Sequence, residues 1–202
     1  MLSRALAFSS LAARAALASL VLCCMTRAAS AHVTGSLPGG FSSGFEHPLL
    51  GFDHLLAMLA VGVWGAQIGG RSLWMLPVAF PLMMVVGGMI GISGMAIPHI
   101  ELGIALSVLC LGLAIAFNWH PLEVISIGLI GIFALCHGYA HGVELPNAAD
   151  PRAYAIGFVL ATGLIHLSGI GIGSLSNIVG QGFLSRFIGM TIALAGIYFI
   201  VV

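Results

Sequence analysis

What most limits this chain is a series of six apolar runs, at roughly His47–Ile68, Leu73–Ile97, Leu102–Phe117, Pro121–Tyr139, Tyr154–Ile172 and Phe183–Val202. A helix needs about 20 apolar residues to cross about 30 Å of hydrocarbon, and each run is close to that, the third being the shortest. Backbone N–H and C=O groups in lipid must be satisfied within the segment, and none of the runs alternates strictly as a barrel strand does. The expected fold is therefore an all-α integral membrane protein, a six-transmembrane-helix bundle after a cleaved signal peptide. Connections such as Asn118-Trp119-His120-Pro121 leave no room for a soluble domain, so function has to lie inside the bundle.

Composition supports this and excludes other classes. The chain is 60% hydrophobic and only 6% charged, where a soluble domain carries about 25%. Six Arg, no Lys and six acids form no basic patch for phosphate backbones, so no nucleic-acid partner is expected. The start of the chain has Arg4, Arg14, an apolar run from Ala15 to Met25, Arg27 and then Ala29-Ser30-Ala31. That pattern is a secretory signal with an A-x-A cleavage site, too short to cross the membrane by itself. Residues 1–31 are read as signal, 32–46 as a polar periplasmic lead and 47–202 as the membrane domain. Arg71 and Arg186 then fall on the cytoplasmic side and Arg152 outside, which agrees with a bacterial inner-membrane protein whose mature N-terminus is periplasmic. Cys110 and Cys136 lie in apolar stretches and suggest no disulfide framework.

Glycine is abundant, 28 residues. Small-xxx-small spacings at Gly65/Gly69, Gly87/Gly91, Gly138/Gly142 and Gly169/Gly173 are read as places where helix backbones approach closely. Gly169-Ile170-Gly171-Ile172-Gly173 follows no strand and is not a phosphate loop.

The few ionisable residues inside the runs carry the chemistry, because each costs about 2.5–3.5 kcal/mol to insert and needs a reason to be there. The first run contains Glu46, His47, Asp53 and His54. On one continuous helix His47 and His54 would share a face about 10 Å apart. The fourth run ends with His137, His141 and Glu144 at i, i+4 and i+7, a polar stripe on one face, and two imidazoles at i, i+4 are a common way for a helix to chelate a transition metal. Both clusters lie at similar depth, so Asp53, His54, His137 and His141 can meet at one level, with Glu46, His47 and Glu144 above them. His99 and Glu101 extend that mouth from the outer loop, and His166 provides a deeper step along a conduction path. His32, as a mature N-terminal residue, can add an amine and an imidazole. Imidazole with carboxylate and no thiolate cluster selects Ni, Co, Zn or Cu(II).

The runs His47-Pro48-Leu49-Leu50-Gly51-Phe52-Asp53-His54 and His137-Gly138-Tyr139-Ala140-His141-Gly142-Val143-Glu144, with the signal segment and the six-run layout, resemble the HupE/UreJ family of hydrogenase and urease accessory proteins. The resemblance implies a nickel permease, with some relatives linked to cobalt, that feeds metallocentre assembly and works alongside hydrogenase or urease maturation proteins. The metal role then falls on His47, Asp53, His54, His137, His141 and Glu144. No permanently bound cofactor is expected; the ion is cargo. The competing classes are an intramembrane zinc hydrolase with Glu144 or Asp53 as base, a bis-His haem protein held by His54 and His137, and a regulatory subunit without flux.

Overall fold

The computed structural model describes residues 40–144, 150–180 and 182–202; the expected signal segment and His32 lie outside them, as does the side chain of Glu144. The described residues form seven helices: α1 (Gly40–Leu50), α2 (Phe52–Ile68), α3 (Ser72–Ile92), α4 (Ile100–Ala116), α5 (Glu123–Glu144), α6 (Pro151–Gly180) and α7 (Phe183–Val201). Four of them, α3, α5, α6 and α7, are long and apolar enough to cross a membrane, and the bent pair α1–α2 makes a fifth candidate. The sixth expected span is α4, whose 17 residues reach only about 26 Å, short of the full hydrocarbon thickness. The protein is thus a multi-pass helical membrane protein.

The first run departs most from expectation. It is not one helix: α1 begins at Gly40, before the expected start at His47, and ends at Leu50, and α2 leaves it at 78°. Pro48 has no N–H to continue the ladder from Gly44, and Gly51 adopts an extended conformation (φ −78°, ψ 101°) that ends one helix and opens the next. The Gly51 N–H bonds back to the His47 carbonyl at 3.2 Å, and its own carbonyl accepts the Leu55 N–H at 2.8 Å. A Cβ at Gly51 would come within 3.3 Å of Asp53 Oδ1 and 3.4 Å of His54 Nδ1, so the missing side chain leaves room for that pair to fold over the break.

Packing follows the small residues. The most extensive pairings are α3 with α5, α4 with α7, and α6 with both α1 and α2. Along α3 and α5, Gly87 and Gly91 face the backbone of Leu135 and Tyr139, while Gly138 and Gly142 face that of Met84 and Gly88, so any Cβ there would enter the opposing main chain. Gly169 sits likewise against Leu59 and Gly173 against Val63 and Ala66, joining α6 to α2. The remaining small-residue pair is no crossing: Gly65 packs on Ser72 in the adjoining turn, and Gly69 ends α2 with φ +76°, a conformation glycine takes freely. In a bilayer this close dispersion contact, rather than water exclusion, holds helices together. Core side chains such as Trp64, Phe80, Met58 and Leu111 are fully buried between the helices, whereas Val85, Leu160, Leu164 and Leu194 point outward, toward lipid in a membrane-spanning bundle.

At the end holding the α2 and α4 C-termini, polar groups tie the turns together. Gln67 Nε2 donates to the Ile115 carbonyl at 3.1 Å and to Asn118 Oδ1 at 2.6 Å, Trp64 Nε1 donates to the Trp119 carbonyl, and His120 contacts the Gln67 and Asn118 carbonyls. The Arg71–Glu123 pair there is 3.8 Å apart and exposed, worth little in stability. At the other end the Tyr139 hydroxyl donates to the Met95 carbonyl at 2.7 Å and accepts the Ile97 N–H at 3.0 Å, pinning the loop before α4. Tyr139→Phe is expected to cost about 1 kcal/mol and to speed amide exchange at Ile97; unchanged exchange there would refute the pinning role.

Candidate metal centre

The break at Gly51 decides the geometry. Because α1 turns away, His47 folds back toward α2, and its ring lies 6.4 Å from that of His54 and 4.8 Å from that of His141. The separation of about 10 Å expected on a continuous helix is therefore corrected to a direct contact. His54, on the first turn of α2, lies 4.6 Å from His137 and 4.5 Å from His141, centroid to centroid. The two histidines of the α5 stripe face inward: His137 is 0% exposed and His141 is buried. Four imidazoles from three helices, α1, α2 and α5, pack against one another in one cluster.

Asp53 sits beside them, half-buried. Its Oδ1 accepts the His54 backbone N–H at 2.8 Å and stands 2.8 Å from His54 Nδ1, a carboxylate that orients an imidazole. With Nδ1 donating to that carboxylate, His54 Nε2 is left with its lone pair, buried and without a hydrogen-bond partner. His137 Nδ1 and both ring nitrogens of His141 are in the same condition. A buried polar atom without a partner costs about 1–3 kcal/mol, so a group of them at one point needs an explanation in function.

The rings pack edge to face or tilted, with interplanar angles of 89° for His54–His137, 77° for His47–His141 and 55° for His54–His141. Among the described residues no three His, Cys, Asp or Glu side chains converge on one point as a finished coordination sphere. The contact also bears on the haem alternative: His54 and His137 touch, leaving no space for a macrocycle between them.

Other expected residues fall elsewhere. The Glu46, His99 and Glu101 side chains are exposed and do not join the cluster; His99 caps the start of α4 in the left-handed region, φ 57°. His166 is buried on α6, facing the Pro77 carbonyl, which lost its helical partner because Pro81 has no N–H. Phe80, between those prolines and fully buried, lies 5.5 Å from the His137 ring and 5.6 Å from the His166 ring, so it links the cluster to the deeper histidine.

Sequence reasoning missed two features. Tyr154, Phe158, Thr162 and His166 repeat at four-residue spacing along α6, one inward stripe. Tyr154 and Phe158 pack on His47 at 5.9 and 6.3 Å, and Phe158 packs on His141 at 4.5 Å. A cavity of about 120 Å³ between α3, α5 and α6 runs from His141 past Phe158 to Thr162. The repeated spacing was the available signal, though only His166 of the four is a metal-type donor and two are aromatic, as any apolar helix face can be. The second is Ser107 on α4, whose Oγ lies 2.8 Å from His137 Nε2; a single serine in an apolar run offers no pattern.

The fold and site define a multi-pass helical membrane protein that carries a buried cluster of histidines with an orienting carboxylate. Residues 20–199 match the family model described as HupE / UreJ protein. The chain is 42% identical over 168 residues to "Protein HupE" of Rhizobium leguminosarum bv. viciae, covering 83% of this chain and 87% of that protein. No solved structure matches. The chain belongs to the HupE/UreJ family, as its two histidine motifs implied.

Proposed function

We propose that this protein is a permease or channel-like secondary transporter that moves a divalent transition metal, nickel first and cobalt second, across the bacterial inner membrane to supply hydrogenase or urease assembly. The observation that carries this reading is the packing of His47, His54, His137 and His141 against one another, with Asp53 against His54, in an apolar bundle where His54 Nε2, His137 Nδ1 and both ring nitrogens of His141 are buried without a hydrogen-bond partner. Neutral imidazole and carboxylate favour nickel, cobalt, zinc or copper(II) over magnesium or calcium. Loosely arranged rings suit a transported ion, which has to leave, better than a resident one. His166, reached past Phe80, and the α6 stripe supply the inward path. On this reading the bundle has six spans, with α1–α2 as a broken one and α4 as a short one. The signal is removed after Ala31, and His32, Glu46, Glu144, His99 and Glu101 line the periplasmic approach. The protein is a transporter and not an enzyme, and the hydrogenase or urease maturation proteins receive its ion.

The test is uptake of radiolabelled nickel and cobalt by cells lacking other uptake systems, with and without this chain. Nickel accumulation that depends on the chain supports the reading; accumulation that is equal in its absence overturns it. Acidification gives a further prediction. A ring nitrogen must shed its proton to take a metal, so protons compete with nickel. Uptake is expected to decline as the external medium is made progressively more acidic. A steep rise with acidification would point to proton-driven symport in place of ligand competition.

A further inference from the structure

We infer that Ser107 is a positioning residue that determines which nitrogen of His137 is offered to the ion, an inference that rests on the metal-transport reading above. Ser107 lies on α4 and is 0% exposed. Its Oγ stands 2.6 Å from the Ile104 carbonyl oxygen, one turn back on the same helix. A carbonyl can only accept, so the hydroxyl proton is directed there. The same Oγ lies 2.8 Å from His137 Nε2. With its one proton already donated, Oγ can serve His137 only as an acceptor, and Nε2 therefore carries the N–H. A neutral imidazole has a single N–H, so His137 Nδ1 holds the lone pair. That atom is the one buried without a hydrogen-bond partner.

The arrangement mirrors the one on α2. Asp53 takes the Nδ1–H of His54 and leaves Nε2 as the donor; Ser107 takes the Nε2–H of His137 and leaves Nδ1. Two rings 4.6 Å apart are thus held in opposite tautomers by two different groups, one a carboxylate and one a hydroxyl. The hydroxyl differs from the carboxylate in a useful way: it fixes the ring without adding a negative charge at a fully buried position, where an uncompensated charge is costly. Without the hydroxyl, the Nε2–H of His137 would face an apolar helix with no acceptor, and the ring would gain by flipping or by changing tautomer, withdrawing Nδ1 from the cluster.

The test uses the full chain, purified in detergent, with ring-labelled ¹⁵N-histidine and no added metal. The His137 resonances are assigned by their loss in His137→Gln. The expected spectrum shows His137 protonated on Nε2 and bare on Nδ1. In Ser107→Ala that preference is lost, and nickel affinity by equilibrium dialysis falls about ten- to a hundredfold, as when groups orienting a metal ligand are removed. Ser107→Thr, which keeps a hydroxyl able to reach the same carbonyl, returns both toward wild type. A wild-type His137 protonated on Nδ1 overturns the inference, as does an unchanged spectrum in Ser107→Ala. So does undiminished nickel affinity in Ser107→Ala while His137→Gln loses it. If His137→Gln itself binds nickel as tightly as wild type, the metal-transport reading has failed and the positioning role falls with it. That case is told apart because the variant carrying the ligand change, and not only the Ser107 variant, is silent.

Discussion

Nickel uptake should be abolished in both Asp53→Ala and His54→Ala, while each variant still inserts in the membrane. His54 is the hub of the cluster: its ring touches those of His47, His137 and His141, and its Nε2 lone pair is buried among them. Removing it takes away a lone-pair donor and the ring against which the other three pack edge-on or tilted. Asp53 acts through His54, accepting both its backbone N–H and its ring. Loss of a group that orients a ligand costs about ten- to a hundredfold in affinity, and loss of the ligand costs more. Insertion does not confound the result. An ionised side chain costs about 2.5–3.5 kcal/mol to place at the centre of a spanning helix, so Asp53→Ala makes insertion easier. Asp53→Asn, which keeps an acceptor but lowers its strength, should retain intermediate uptake. Uptake at the wild-type rate by a well-expressed Asp53→Ala variant would sink the assignment of the site.

The second large effect is expected at Gly138. A Cβ there would collide with the Met84 backbone across the α3–α5 crossing, and main chain cannot move aside as a side-chain tip can. Overpacking a well-filled interior typically costs about 1–3 kcal/mol, and Gly138→Val should lie at or beyond the upper end of that range. Since His137 is the neighbouring residue, metal binding should fall together with the thermal midpoint. Gly128 is the control: a Cβ there meets nothing within 4 Å, and in a helix alanine gains up to about 1 kcal/mol over glycine. Gly128→Ala should therefore be neutral or stabilising. Equal thermal midpoints for Gly138→Val and wild type, measured in the same detergent, would show that the close crossing is not what holds α3 to α5.

Much of the site was legible because the signals were local. His137 and His141 at i, i+4 must share a face of any helix, and an apolar run flanking them makes that face valuable only if it turns inward. Asp53 beside His54 pairs a carboxylate with an imidazole whatever the fold does. Glycines four apart on two runs announced a close crossing, and Gly87/Gly91 with Gly138/Gly142 form it. The reading failed where it assumed continuity. His47 and His54 were placed on one straight helix, yet Pro48 and Gly51 divide it, and the motif that looked like a row of ligands is also the instruction for a bend of 78°.

The amino-acid sequence by itself determined that this is a multi-pass helical membrane protein, which residues are too polar to sit in lipid without a purpose, and that the polar side chains inside the apolar runs are chiefly imidazole and carboxylate. These follow from hydrophobicity, helical period and side-chain chemistry, each a property of a residue and its near neighbours. Only the tertiary structure decided that α2 packs on α6 while α5 packs on α3, so that His54 and His137 meet by reaching across rather than from adjoining backbones. It alone placed Phe80 between His137 and His166, and set Ser107 under the His137 ring. Such contacts join residues thirty or more positions apart, as with Ser107 and His137. Their partners are chosen by how whole helices fit together, and helix fit depends on surfaces that no short stretch of sequence contains.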